Sequence, residues 1–284
     1  MLPAPCSLPW QLRTKKLMPG TIPLLMGVVN VTPDSFSDGG RFFAPEAAVE
    51  HGLRLAAEGA DLLDIGGQST RPGAAPVPPE EELRRVLPVV AALSRQTAVP
   101  ISLDTCSPPV ARACLDTGVE AINDITALAD PAMLALAAAS RCGVCAMHMR
   151  GAPPSMQNDP QYGDVVAEVL AWLAARRDAL TAQGIAAQRI ALDPGIGFGK
   201  TAAHNLAILN HLARYRELGC PLLVGLSRKA FIGQALGNPS LDRTAGTIGA
   251  ALAAARQGVE ILRVHDVAAV RQALLLFAAA GGMQ

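Results

Sequence analysis

Eight short apolar runs recur along the chain, each followed by a segment of different period, and this alternation restricts the fold more than any other feature. The runs fall at 24–29, 61–65, 99–103, 119–122, 143–147, 189–192, 221–226 and 260–264. Several are continuous rather than alternating apolar and polar, as strands buried on both faces of a parallel sheet are. Between them lie helical patterns. PEEELRRVLPVVAALSRQ places Leu83, Val86, Leu87, Val90 and Leu93 on one helix face, and Pro88 is expected to kink that helix. HNLAILNHLARYRELG does the same with Leu206, Leu209 and Leu212 and ends at Gly219. Eight strand–helix units in 284 residues predict an α/β chain folded as one closed (β/α)8 TIM barrel. An open doubly wound sheet is the alternative, but it usually has fewer strands. No composition break marks a second domain. The expected organisation is a ragged N-terminal extension over 1–22 and a single barrel domain over 23–284.

Composition excludes some function classes. Lysine plus arginine balance aspartate plus glutamate at 24 each, which argues against a nucleic-acid platform. No apolar run reaches the length of a membrane span. The start of the chain, MLPAPCSLPWQLRTKK, is broken by proline and lacks the apolar core of an export signal, so a cytoplasmic location is expected. The six cysteines then read as reduced thiols. Cys142 and Cys145 form a lone CxxC, with no second pair to complete a zinc site.

In a barrel of this kind the active site lies at the C-terminal ends of the strands. Each run here delivers a polar group to that rim: Asn30, Asp64 leading into GGQSTRPG, Asp104, Asn123 with Asp124, His148, Asp193, Ser227 with Arg228 and Lys229, and Arg263 with His265 and Asp266. Any one of these could be a turn or helix cap, a reading that suits Asp124 and Asp266 as well as a site does and suits Thr105 and Ser107 better. Caps do not easily explain all eight. Asp104, Asn123 and Asp193 could together bind a flat heterocycle carrying amino and ring N–H donors. Arg71, Lys229, Arg263 and His265 suit an anion such as a pyrophosphate. Arg263 and His265 stand two apart on one strand and should point the same way.

Two loops carry further information. MGVVNVTPDSFSDGG runs from an apolar strand into a loop rich in oxygen ligands around Phe36, where Asn30, with Asp34 nearby, suits Mg²⁺. DPGIGFGKT looks like a phosphate-binding P-loop, but its first glycine comes one residue late, and Lys200 takes the last glycine place of a dinucleotide motif. Gly195, Gly197 and Gly199 instead let the backbone approach a flat ligand, with Phe198 covering a ring face.

These motifs, with DIGGQSTRPGA, PISLDT, INDI, MHMRG, GLSRKAFIG and RVHD in order, resemble the dihydropteroate synthase family over nearly the whole chain after Pro23. The resemblance implies a Mg²⁺-dependent (β/α)8 barrel, generally a homodimer, that joins 6-hydroxymethyl-7,8-dihydropterin diphosphate to 4-aminobenzoate and releases pyrophosphate. It implies that Asp104, Asn123, Asp193 and Lys229 hold the pterin, with Met147, Phe198 and Gly225 lining the site and Arg263 stacking near the ring. Asn30, Arg263 and His265 would hold the diphosphate and metal. Asp34 and Phe36, with Thr70, Arg71 and Pro72, would close over the site and shape the 4-aminobenzoate pocket. By the same resemblance Asp34, Asp104, Lys229 and Arg263 carry the catalytic roles, and sulfonamides are expected to compete with 4-aminobenzoate. Two positions depart from the family pattern. Gln68 stands where glutamate is usual, and Ala230 follows SRK where many members have serine, so weaker anchoring of the 4-aminobenzoate carboxylate is expected. The competing readings are a non-synthase pterin-binding module of the methyltetrahydrofolate/corrinoid methyltransferase type, which would not need the SRK and RVH cations, and a barrel that has lost catalysis.

Overall fold

The structure, a computed structural model, describes residues 8–32, 45–69, 75, 77–153 and 155–283. A short antiparallel hairpin, β1 (Trp10–Gln11) and β2 (Lys16–Leu17), comes first. Eight parallel strands follow: β3 (Leu24–Asn30), β4 (Leu62–Gly66), β5 (Ile101–Asp104), β6 (Ala121–Asp124), β7 (Gly143–Met147), β8 (Ile190–Asp193), β9 (Leu223–Gly225) and β10 (Ile261–Val264). The sheet runs β8-β7-β6-β5-β4-β3-β10-β9, and a single parallel bridge between Leu192 and Leu222 joins its two ends. The expected barrel is therefore present, and every run of the sequence reading falls on a strand.

Helices fill the crossovers: α1 (Pro45–Ala57), α2 (Pro79–Gln96), α3 (Pro108–Asp116), α4 (Pro131–Ser140), α5 (Val165–Ala182), α6 (Ala202–Asn210), α7 (Leu212–Tyr215), α8 (Ala230–Ala235), α9 (Thr244–Arg256) and α10 (Val267–Ala279). Helix α2 is continuous through Pro88, which is exposed, so the missing N–H falls on the solvent face. Its buried side is Val86, Val89, Val90 and Leu93, with Glu82 also buried and Leu83 and Leu87 partly so. The single helix expected over 204–219 is divided at His211. There the Gln257 side chain accepts from Ala213 N at 3.3 Å and donates to Leu209 O, replacing the lost helical bonds. Gly219 ends the segment in the left-handed region, as expected.

Two apolar clusters hold the barrel. The larger lies between strands and helices; the smaller fills the lower barrel with Leu24, Met26, Leu62, Ala121, Cys145, Ala191, Leu223 and Ile261. Described residues of the segment expected to be a ragged extension belong to that inner cluster. Trp10 and Leu12 are fully buried in it, and the Trp10 indole donates to Arg189 O at 2.9 Å. Arg13 N donates to Glu120 O at 3.1 Å, and Thr14 N donates to the Glu120 carboxylate at 2.7 Å. The hairpin thus plugs the N-terminal end of the barrel. Its strands are too short to show a period, which is why the sequence reading missed it. Cys142 packs in the outer cluster and Cys145 in the inner one, so the CxxC pair faces opposite sides of β7. Among the described residues no group of three or more His, Cys, Asp or Glu is placed to hold a metal.

Candidate active site

Strand parity builds the site. Side chains two residues apart share a face, so the dry inner layer continues upward into a polar one. From Leu62 the inward positions lead to Asp64 and Gly66; from Ala121, to Asn123; from Cys145, to Met147. Ala191 leads to Asp193, Leu223 to Gly225 and Ile261 to Arg263. The register sets Asn30, Gly66, Asp104 and Asn123 side by side across four strands. Met147 stands opposite Asp193, and Gly225 opposite Arg263. Six of the eight parallel strands thus bring a polar group to one ring, closed by Met147 and Gly225, around a space that Gly66 and Gly225 leave open. A side chain at Gly225 would point between Lys229 and Arg263.

Arg263 organises the centre. Its Nε donates to Asp64 Oδ2 at 2.6 Å and its Nη2 to Asp104 Oδ2 at 2.7 Å. Asn123 Nδ2 also donates to Asp64 Oδ2, at 3.0 Å. Asp64 is fully buried, and its Oδ1 has no partner among the described residues. One guanidinium shared by two carboxylates does not neutralise both. Burial pushes Asp104 up to about 7, against the pull of Arg263 and with a further push from Asp64. Arg263 is held above its ordinary value because Asp64 and Asp104 outweigh the effect of its burial.

The opposite wall is the loop after β8. Burial raises Asp193, while Lys229 and a hydrogen bond from Gly195 N at 2.7 Å act against it. Lys229 Nζ donates to Ile196 O and lies 4.6 Å from the Phe198 ring centroid. Burial lowers Lys229 to about 8, with Asp193 opposing. The glycines here are needed. A Cβ on Gly195 would lie 1.9 Å from His148 O, and one on Gly199 would lie 2.2 Å from Arg150 O, both at positive φ.

Of the residues expected to meet an anion, His265 sits at the rim, whereas Lys229 and Arg263 stand inside the mouth. His265 Nδ1 is 3.0 Å from Ser227 Oγ. Arg228 pairs with Asp266, and Asp124 accepts from Thr126 N at 2.7 Å and Leu128 N at 3.1 Å, so both aspartates serve as structural partners. Asp34, Phe36, Thr70, Arg71 and Pro72 lie outside the described residues. Asp104, Asn123, Met147, Asp193, Phe198, Gly225, Lys229 and Arg263 come together at the mouth, with Asn30 and His265 on the rim. The sequence reading brings Asp64 to the rim without a role; the parity that places Leu62 inside places Asp64 there too, where it binds Arg263 and Asn123. A cleft of about 520 Å³ lined by Gln11, Arg13, Arg141 and Arg189 opens at the other end of the strands, far from this ring.

Comparison with known proteins follows the same geometry. Residues 26–265 match the family model described as pterin binding enzyme. Escherichia coli (strain K12) dihydropteroate synthase is 47% identical over 245 residues, covering 86% of this chain and 87% of the relative. Xanthomonas albilineans dihydropteroate synthase, solved with 4-aminobenzoic acid, is 51% identical with a TM-score of 0.89, over 97% of this chain and 98% of that one. The same enzyme solved with 7,8-dihydropteroate is 48% identical with a TM-score of 0.85, over 96% and 98%. The Yersinia pestis dihydropteroate synthase, solved with a sulfonamide drug complex, is 42% identical with a TM-score of 0.90, over 96% and 99%.

Proposed function

The chain belongs to the pterin-binding enzyme family, and we infer from that membership and from the ring of strand-end groups that it is a dihydropteroate synthase. It condenses 6-hydroxymethyl-7,8-dihydropterin diphosphate with 4-aminobenzoate, forming 7,8-dihydropteroate and pyrophosphate. The observation that carries this reading is the convergence of Asp104, Asn123, Asp193 and Lys229 at one barrel mouth in a chain 48% identical to an enzyme solved with that product. The matched proteins favour the synthase over a methyltetrahydrofolate-presenting module.

Asp104, Asn123 and Asp193 are proposed to take the amino and ring N–H groups of the pterin, with Lys229 donating to its acceptors and Met147, Phe198 and Gly225 bounding the ring. The C–O bond to diphosphate breaks, the neutral aryl amine then attacks the methylene carbon, and the nitrogen gives up a proton to solvent. That carbon gains positive character at the transition state, and a mouth holding Asp64, Asp104 and Asp193 stabilises it without a side-chain nucleophile. Arg263 and His265 are proposed to receive the departing diphosphate charge. Phe36, Thr70, Arg71 and Pro72 are assigned to 4-aminobenzoate, and Asp34 to closure over it.

Mg²⁺ fits in a limited sense. Asn30 offers one neutral carboxamide oxygen at the end of β3, and no cluster of acidic or imidazole ligands stands near it among the described residues. Such a site suits an ion that takes most of its oxygens from diphosphate and water. When bound, the ion would offset the diphosphate charge. We extend the proposal to a homodimer, supported by the exposure of Leu275 and Leu276 on α10, at 46% and 72%. A cytoplasmic location is proposed as well; no described helix is long and apolar enough to cross a membrane.

The direct test supplies pterin diphosphate, Mg²⁺ and labelled 4-aminobenzoate to the purified protein. Labelled dihydropteroate is expected, and its absence across a broad pH range would sink the reading. The pH profile gives a second test. Below about 7 Asp104 takes up a proton and stops accepting from the pterin, and above about 8 Lys229 loses its own. A bell-shaped kcat/KM for pterin diphosphate follows, with its maximum between these values. A flat profile from pH 5 to 9 would show that neither group meets the substrate.

A further inference from the structure

Lys200 is buried, 2% exposed, and its ammonium bonds backbone carbonyls and His148 rather than any side chain assigned to substrate. Its Nζ lies 2.9 Å from Gly195 O, 3.1 Å from Phe198 O and 2.9 Å from His148 Nδ1, with His148 O at 3.4 Å. Burying an ammonium is costly unless its donors are fully used, and here all three have acceptors. Burial lowers Lys200 to about 7, with Asp193 opposing. Burial and the Lys200 charge together lower His148 to about 3. The imidazole is therefore neutral, with Nδ1 as acceptor and its proton on Nε2. The Trp172 ring packs edge-on against it at 5.0 Å between centroids.

The loop after β8 is held by side chains rather than by a ladder. Gly195 O and Phe198 O accept from Lys200, and Ile196 O accepts from Lys229. Gly197 O accepts from Gln157, and Gly199 O accepts from Tyr162 at 3.0 Å. Every carbonyl from 195 to 199 thus has a side-chain donor. Lys200 supplies two of the five, flanking the one that Lys229 uses. Its other contacts are on His148, just past the end of β7, against whose carbonyl Gly195 is pressed.

We propose that Lys200 is a positioning residue of the active site: its ammonium fastens the 195–199 loop to the end of β7 and so sets where Asp193, Phe198 and the Ile196 carbonyl meet the pterin and Lys229. The proposal rests on the pterin reading given above. Without the clamp, Phe198 O loses its side-chain donor and Gly195 O keeps only the turn hydrogen bond from Phe198 N at 3.1 Å, and the loop has three glycines at positive φ, 195, 197 and 199, through which to relax.

The test uses the full chain, Lys200→Met and Lys200→Gln, with calorimetric titration of 6-hydroxymethylpterin, the two KM values and thermal melting. Lys200→Met is expected to weaken pterin binding by about tenfold or more, and Lys200→Gln, which keeps an amide donor, by less. KM for pterin diphosphate should rise while KM for 4-aminobenzoate stays near wild type. A purely structural lysine would lower the melting temperature and leave the pterin Kd of the folded fraction unchanged. Folded variants with wild-type pterin affinity, or failure of both variants to fold, would overturn the proposal. Failure of the wild-type protein to bind pterin would instead refute the functional reading beneath it.

Discussion

Asp104→Ala should lower kcat/KM for pterin diphosphate by about two to three orders of magnitude while leaving the fold intact. The loss follows from position. Asp104 stands between Gly66 and Asn123 in the ring, and its carboxylate orients Arg263 at 2.7 Å. Alanine removes the proposed acceptor for the pterin and leaves Arg263 held by Asp64 among the described residues. A preorganised charged partner in a water-poor site contributes roughly 3–4 kcal/mol to a transition state, which converts to that range of rate. The fold should tolerate the change, because Asp64, Glu82 and Asp124 all disfavour a charge at Asp104. The melting temperature should therefore stay close to wild type. Asp104→Asn keeps the shape and separates the loss of charge from the loss of volume. Near-normal kcat/KM in Asp104→Ala would show that the pterin lies elsewhere.

Trp10→Ala should have the opposite signature, a large loss of stability with the chemistry retained in the protein that remains folded. Trp10 is fully buried, fills the lower barrel beside Leu24, Leu62 and Ile261, and donates to Arg189 O. Truncating a buried aromatic costs about 3–5 kcal/mol through lost transfer energy and an unfilled cavity. The Arg189 carbonyl keeps no compensating partner from alanine, which adds to the cost. Denaturant unfolding should show the midpoint moving down with little change in slope. KM for both substrates should hold at low temperature, since the plug and the ring lie at opposite ends of the strands. An unchanged midpoint would mean that the hairpin merely rests against the barrel.

The legible part of this molecule is the part that obeys a period. Buried parallel strands show as short apolar runs, and all eight were visible because both faces are covered. The ring was visible because strand ends in a barrel converge, so Asp104, Asn123, Asp193 and Arg263 could be assigned to one place from strand order alone. Asp64 was placed at the rim but given no role. It lies one inward step below the rim, and its partners Arg263 and Asn123 come from other strands. The plug was hidden because two-residue strands carry no alternation; Trp10 alone hinted at burial. The break at His211 depends on Gln257, which is distant in sequence, and no local pattern reports such a partner. Lys200 read as the end of a failed nucleotide motif, whereas its position only acquires meaning once β7 lies beside the loop.

The two ends of the sheet meet through one bridge, Leu192 with Leu222, where the other neighbours share full ladders. This is the seam of the barrel, and above it stand Asp193 on one edge and Lys229 on the other. A flat ligand held by both spans the gap as a cross-brace, doing across the mouth what missing backbone bonds do not do below. The backbone amides of β8 and β9 should then exchange hydrogen faster than those of β4 and β5 in the free protein, and slow most when pterin binds. Substrate, on this view, is the last stave of the wall that encloses it.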